Sequence, residues 1–263
     1  MDKEREADRS PKAIVIVTGA SAGLGAALAR RLDQTLPGDL GLWLIARDQG
    51  KLEALASDLD HDCQILALDL TREEAYWQIK EKLDREEADI HLLVNNAGEG
   101  CSGPFEKQEL LAHQSLCDLN IRAQLMMTSL ALPYMGPGSA ILFTSSVAAF
   151  LPQPGFASYA ASKAFILSFG RALGRELKDR SIQVTVTCPN PMLTNFFTEE
   201  EKEALMTSYK RLGIEDPARV ADKSLAAVRR GKSVVVTSFA GKMIRILAKL
   251  LPAGLIIRLI KWS

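Results

Sequence analysis

Residues 13–25 read Ala-Ile-Val-Ile-Val-Thr-Gly-Ala-Ser-Ala-Gly-Leu-Gly. The run AIVIVT at 13–18 is rich in β-branched side chains and shows no polar alternation, so it predicts a strand covered on both faces. Gly19, Gly23 and Gly25 then punctuate the chain, and from residue 23 apolar positions recur at helical spacing to about residue 35. A buried strand that passes through a glycine turn directly into a helix opens a βαβ unit, which needs a parallel partner strand farther along.

Outward from this unit come LWLIA at 42–46, CQILAL at 63–68, HLLVN at 91–95, SAILFTS at 139–145, IQVTVT at 182–187 and SVVVT at 233–237. Helical periodicity falls near 23–35, 51–59, 72–86, 110–132, 157–179 and 217–230. Strand and helix therefore alternate, which predicts an α/β fold: a doubly wound, seven-stranded parallel sheet with helices on both faces. No repeat or linker interrupts residues 13–239, so one domain is expected there, preceded by a charged, solvated arm at 1–12. Between about 193 and 215 the rhythm breaks, with Phe196, Phe197 and the acidic run 199–201 but no strand. That position falls at the carboxyl edge of a parallel sheet, where ligands bind, so a substrate lid is expected.

Composition narrows the function. With 47% hydrophobic and 24% charged residues, a disordered, collagen-like or disulfide-scaffold chain is excluded. Lys plus Arg and Asp plus Glu both total 32, so no global basic field attracts nucleic acid. Cys63, Cys101, Cys117 and Cys188 lack C-x-x-C spacing and form no ligand pattern with His61, His91 and His113, which predicts free thiols and no metal site. The N-terminus lacks the apolar stretch of a signal peptide, and no run reaches the ~18 apolar residues of a membrane span, so a cytoplasmic location is expected.

The glycine turn also has a chemical reading. Without Cβ atoms the backbone can approach a pyrophosphate, whose charge then sits over the N–H groups and positive dipole end of the following helix. A rival phosphate loop at Gly231-Lys232-Ser233 fails, because its pattern needs a glycine where the chain has Ala226.

Thr18-Gly19-x-x-x-Gly23-x-Gly25, Asn95-Asn96-Ala97-Gly98 and Tyr159-x-x-x-Lys163 occur in that order, and together they resemble the short-chain dehydrogenase/reductase family over about residues 12–238. The resemblance implies a single Rossmann-type domain that binds NAD(H) or NADP(H) and exchanges hydride with a small-molecule carbonyl or alcohol. It makes Gly19, Ser21, Ala22, Gly23, Leu24 and Gly25 cofactor contacts, with Asp69 and Leu70 at the adenine, Asn96 holding the strand ends, and Ala97 and Gly98 beside the adenine ribose. It also places Pro189, Met192 and Thr194 at the nicotinamide end. The family's Pro-Gly is here Pro189-Asn190; asparagine tolerates left-handed backbone, so the turn survives and Asn190 becomes a candidate substrate contact. Family members are often dimers or tetramers, and a homodimer or homotetramer is expected.

Tyr159 and Lys163 lie four apart near the start of a predicted helix and so share a face. An ammonium beside a phenol of ordinary pKa ~10 favours the phenolate and brings the group nearer the range useful for acid/base work. The resemblance adds Ser146, thirteen residues earlier, to hold the substrate oxygen in preference to Ser145, and Asn120 to support a water linking Lys163 to solvent. At the end of the second strand, where NAD-specific members of the family place an acid, the chain has Ala46-Arg47; the guanidinium suits a 2′-phosphate, so NADP(H) is expected.

The expected activity is NADP(H)-dependent carbonyl reduction or alcohol oxidation, with a dinucleotide sensor or a cofactor-retaining epimerase or dehydratase as alternatives. Phe150, Phe156, Phe196, Phe197 and Met192 suggest an apolar substrate pocket. Finally, residues 240–263, AGKMIRILAKLLPAGLIIRLIKWS, carry five basic residues and no acid at helical spacing from apolar ones. This is the pattern of an interfacial membrane helix, and it competes with a core-facing or subunit-facing helix whose basic side is solvated; the resemblance also allows a C-terminal segment that packs subunits or covers substrate.

Overall fold

The computed structural model describes residues 13–194, 203, 206, 213–252 and 254–256. The expected arm at 1–12, most of the expected lid, including Phe196, Phe197 and the acidic run, and residues 257–263 lie outside the described residues.

The elements are β1 (Ala13–Thr18), α1 (Gly23–Asp33), β2 (Gly41–Ala46), α2 (Gln49–Ser57), β3 (Cys63–Ala67), α3 (Glu73–Arg85), β4 (Asp89–Asn95), α4 (Leu110–Cys117), α5 (Ala123–Ala131), β5 (Ala140–Thr144), α6 (Ala157–Glu176), β6 (Gln183–Cys188), α7 (Pro217–Arg229), β7 (Val234–Val236) and α8 (Phe239–Leu250). The seven strands form one parallel sheet in the order β3-β2-β1-β4-β5-β6-β7. Strand order reverses between β1 and β4, which opens a crevice at their carboxyl ends.

Side-chain alternation divides the core. On one face Ile14, Ile16, Trp43, Leu93, Ile141 and Phe143 meet Ile79 of α3, Met127 of α5 and Ile166 of α6. On the other, Val15, Val17, Leu42, Leu44, Val94 and Leu142 meet Leu28 of α1, Leu52 of α2 and Val220 of α7. Both faces of β1 are therefore dry, as its unbroken apolar run requires. Each fully buried Val or Ile contributes about 1.5–3 kcal/mol.

Two departures from the sequence expectation have a local cause. The single helix expected at 110–132 is split, because Asp118–Arg122 forms a π turn between α4 and α5. Asn120 explains the widening: its Oδ1 accepts from the Glu99 N–H at 2.8 Å, and its Nδ2 donates to the Glu99 carbonyl at 2.9 Å and to Ser162 Oγ at 3.1 Å. Those bonds pull one residue out of the α-helical ladder. Helix α2 begins two residues earlier than expected, because Asp48 caps it by accepting from the Lys51 N–H at 3.1 Å.

Candidate active site

A cavity of about 800 Å³ runs over the carboxyl ends of β1, β2, β4 and β5 to the start of α8. At one end the glycine turn forms a close-packed shelf. Gly19 has φ +66°, and a Cβ on it would lie 2.9 Å from the Ala97 Cα. A Cβ on Gly25 would lie 2.0 Å from the Gly19 carbonyl oxygen, so α1 presses directly on the turn. Ala22, the residue before α1, adopts extended backbone and provides no side-chain cap, and the first turn carries no acid. The positive end of α1 thus faces the cavity with room for an anion.

Hydrogen bonds fix the strand ends beside this shelf. Thr18 Oγ1 donates to the Val94 carbonyl at 3.1 Å and accepts from the N–H groups of Asn96 at 3.0 Å and Ala97 at 3.1 Å. Asn96 Nδ2 donates to the carbonyls of Thr18 at 3.2 Å and Gly19 at 3.4 Å, while its Oδ1 accepts from Thr144 Oγ1 at 3.2 Å. One asparagine therefore ties β1, β4 and β5 together at the mouth of the crevice.

Arg47, Asp48 and Lys51 line the cavity beyond β2. Lys51 Nζ pairs with Asp48 Oδ2 at 2.8 Å, which places a second cation, absent from the sequence reading, near Arg47. A basic residue four beyond Arg47 was the signal that could have found it. Asp69 Oδ1 accepts from the Thr71 N–H at 2.9 Å and hydroxyl at 2.8 Å. Burial alone would raise the Asp69 carboxyl, but these bonds and the charges of Arg47 and Arg72 hold it below the usual carboxylate range.

At the other end stands the polar group of β5 and α6. Ser146 follows β5 and caps a short turn, Val147–Phe150, by accepting from the Ala148 N–H at 3.1 Å. Its side chain is hydrogen-bonded to the Tyr159 hydroxyl, which projects from the first turn of α6. Lys163 is 3% exposed; its Nζ donates to the Thr144 carbonyl at 3.2 Å and lies 5.7 Å from the Tyr159 ring centre. Burial pushes the Tyr159 phenol up to about 12 against the opposing bond from Ser146, and burial pushes Lys163 down to about 8. Spacing alone would have Lys163 bring the phenol down; burial, the largest cause, instead holds it above its ordinary value.

Of the sequence-derived residues, Gly19, Ser21, Ala22, Gly23, Leu24, Arg47, Asp69, Leu70, Asn96, Ala97, Gly98, Ser146, Tyr159, Lys163, Pro189, Met192 and Thr194 all line this one cavity. Gly25 and Asn120 do not: Gly25 packs beneath the turn, and the Asn120 amide is committed to Glu99 and Ser162. A Cβ on Gly98 would lie 2.9 Å from Asn120 Oδ1 and 3.2 Å from Lys163 Nζ, so that glycine separates the two. Phe156 and Met192 line the cavity, whereas Phe150 lies 5.8 Å from the Arg245 guanidinium outside it. Asn190 lines the cavity too, and its Oδ1 is buried without a hydrogen-bond partner. Ala240 and Ile244 complete the wall, a contribution no local pattern announced.

The fold and the site define a dinucleotide-binding α/β oxidoreductase. Residues 13–205 match the family described as short chain dehydrogenase, and the chain belongs to that family. It is 34% identical over 232 residues to 17-beta-hydroxysteroid dehydrogenase type 3 of Mus musculus, covering 81% of this chain and 74% of the relative. A short-chain dehydrogenase from Sphingobium yanoikuyae, solved in complex with NADPH, superposes with a TM-score of 0.75 at 26% identity, over 97% of this chain and 98% of its own. A family member from Burkholderia phymatum, solved in complex with NAD, gives a TM-score of 0.78 at 19% identity, over 92% and 94% of the two chains. The family acts on CH–OH and C=O groups with a nicotinamide cofactor.

Proposed function

We propose that this chain is an NADP(H)-dependent carbonyl reductase or alcohol dehydrogenase that acts through Ser146, Tyr159 and Lys163. The observation that carries the reading is that Ser146, Tyr159 and the buried Lys163 line one cavity at the carboxyl edge of the sheet. The residues present fit the cofactor: the Gly19–Gly25 shelf and the uncapped α1 would take its pyrophosphate, and Asp69 and Leu70 its adenine. Arg47 and Lys51 favour a 2′-phosphate by charge, and Arg47 adds a planar donor fork.

When bound, the nicotinamide supplies hydride to the substrate carbon. Ser146 Oγ donates to the carbonyl oxygen and holds it against the Tyr159 hydroxyl, which gives its proton as negative charge develops on that oxygen. Lys163 keeps a cation beside the phenolate that results. The family resemblance gives Asn120 the role of supporting a water that links Lys163 to solvent, and its side-chain amide is bonded to Glu99 and Ser162. Phe156, Met192, Leu151 and Ile244 give the cavity apolar walls, which together with the hydroxysteroid relative support a hydrophobic ketone as substrate.

The test is loss of NADPH absorbance across steroids, aldehydes, quinones and acyl ketones, with NADH and Tyr159→Phe in parallel. Turnover that prefers NADPH and falls by about 10²–10⁴-fold in the variant supports the mechanism. Tight cofactor binding without net consumption on any carbonyl would overturn it in favour of a sensor or a cofactor-retaining epimerase or dehydratase.

A further inference from the structure

Helix α8 shows two unlike faces. Gly241 is buried against the body of the protein, where a Cβ would meet Val147 Cγ1 at 2.6 Å, and Ala240 and Ile244 form part of the cavity wall. Opposite Gly241, and flanked by Ala240 and Ile244, Phe239 is 79% exposed and Leu250 73%, with Met243, Ile246 and Leu247 exposed between them. Helical spacing sets these five in one stripe, and Lys242 and Lys249 are exposed along its edge. A single exposed apolar side chain needs no explanation, but a stripe of five does.

Charge indicates what covers the stripe. Residues 240–263 hold five basic residues and no acid, whereas residues 1–239 hold 27 basic and 32 acidic. A second copy packed antiparallel on this face about a twofold axis would set one basic edge against another. An anionic lipid surface instead takes the apolar stripe among its acyl chains while the lysine stems reach up to the headgroups. Twelve residues extend about 18 Å, short of a span, so the helix lies along the surface.

We infer that α8 docks on an anionic bilayer, apolar stripe inward, and that the cavity rim formed by Ala240 and Ile244 is thereby held at the lipid, from which a membrane-dissolved carbonyl substrate enters. The docking stands on α8 alone; only the nature of the substrate rests on the reductase reading.

The experiment is flotation of the full chain with phosphatidylcholine vesicles, with and without phosphatidylserine, in low and high salt. F239S/I246S/L250S and K242E/K249E are run beside it, with NADPH affinity and solution mass recorded for each. The wild type should float only with phosphatidylserine, the apolar variant should stay in solution, and reversing two lysines, a change of four charges, should weaken binding on the order of 10³-fold, with unchanged NADPH affinity showing that each variant is folded. No binding of the wild type, or equal binding of the apolar variant, overturns the docking. So does a wild-type dimer that the apolar variant makes monomeric with no vesicle binding in either, which assigns the face to a second copy. With docking established, a ketone dissolved in phosphatidylserine vesicles should turn over faster with the wild type than with K242E/K249E. Equal rates overturn lipid delivery alone, and no turnover by either protein of any ketone, including a water-soluble one, rejects the reductase reading while leaving the docking intact.

Discussion

The Ser145 hydroxyl donates to the backbone carbonyl of Lys163 at 2.7 Å, while its neighbour Ser146 turns to the Tyr159 hydroxyl. Adjacent residues at the end of β5 thus face different tasks, one clamping α6 against the sheet and the other pointing into the cavity. Ser146→Ala should lower kcat by about 10²–10³-fold, and losing the bond from the Ala148 N–H should also cost about 1 kcal/mol of stability. Ser145→Ala should cost about 1 kcal/mol of stability and leave most of the activity. Steady-state kinetics, with urea unfolding to show the two variants comparably stable, separate the two roles, and equal kinetic losses would merge them.

Arg47 and Lys51 stand at the far end of the cavity, where a 2′-phosphate would lie. Arg47→Asp should weaken NADPH by about 10–100-fold relative to NADH, the scale of one charge-assisted pair. Lys51→Ala should do less, since Asp48 already shares that ammonium. The ratio of kcat/KM for the two cofactors is the readout, and an unchanged ratio would remove Arg47 from cofactor selection.

Gly25 touches the carbonyl of Gly19 so closely that a methyl has nowhere to go. Gly25→Ala should cost about 3 kcal/mol or more and abolish cofactor binding, because either the turn or α1 must move. Gly38→Ala, where nothing lies within 4 Å, is the control and should be close to neutral. Thermal unfolding with and without NADPH distinguishes a broken cradle from a merely less stable chain.

Lys163 is held at about 8, below the ordinary lysine value of ~10.4. Between those values the unfolded chain binds a proton that the native chain has lost, so this group's contribution to stability rises with pH across the window and is lowest beneath it. Cys188, raised to about 12 by burial, acts in the opposite sense, losing stability as pH climbs above the ordinary thiol range. The comparison is therefore differential. The stability of Lys163→Met relative to the wild type should fall by roughly 2–3 kcal/mol between about pH 7.5 and 10, read from urea midpoints. A constant difference would mean that Lys163 titrates as an exposed lysine.

The strands were legible because a sheet buried on both faces needs continuous apolar runs, and AIVIVT or IQVTVT admits few other readings. The turn at 19–25 was legible because glycine marks places where a Cβ has no room. The split of α4 from α5 was not, since nothing local in DLNIR shows that Asn120 will bond to Glu99, twenty-one residues earlier. Lys51 was within reach of the same spacing argument that set Lys163 beside Tyr159. Ala240 and Ile244 were not, because an alanine and an isoleucine in an amphipathic helix carry no sign of which neighbour they will meet.

Sequence alone therefore determined the parallel order of elements and the glycine shelf, which rest on local geometry, while Ser146, Tyr159, Lys163 and Asn120 were singled out through the resemblance to the family. The titration of that group was decided only in three dimensions. Spacing places a lysine beside a tyrosine, but only the packing of β5, β6 and α6 around them decides how far each is desolvated, and burial is the largest cause of both shifts. The same holds for α8, where the sequence records an amphipathic helix and the folded chain decides which side closes the cavity and which is left facing outward.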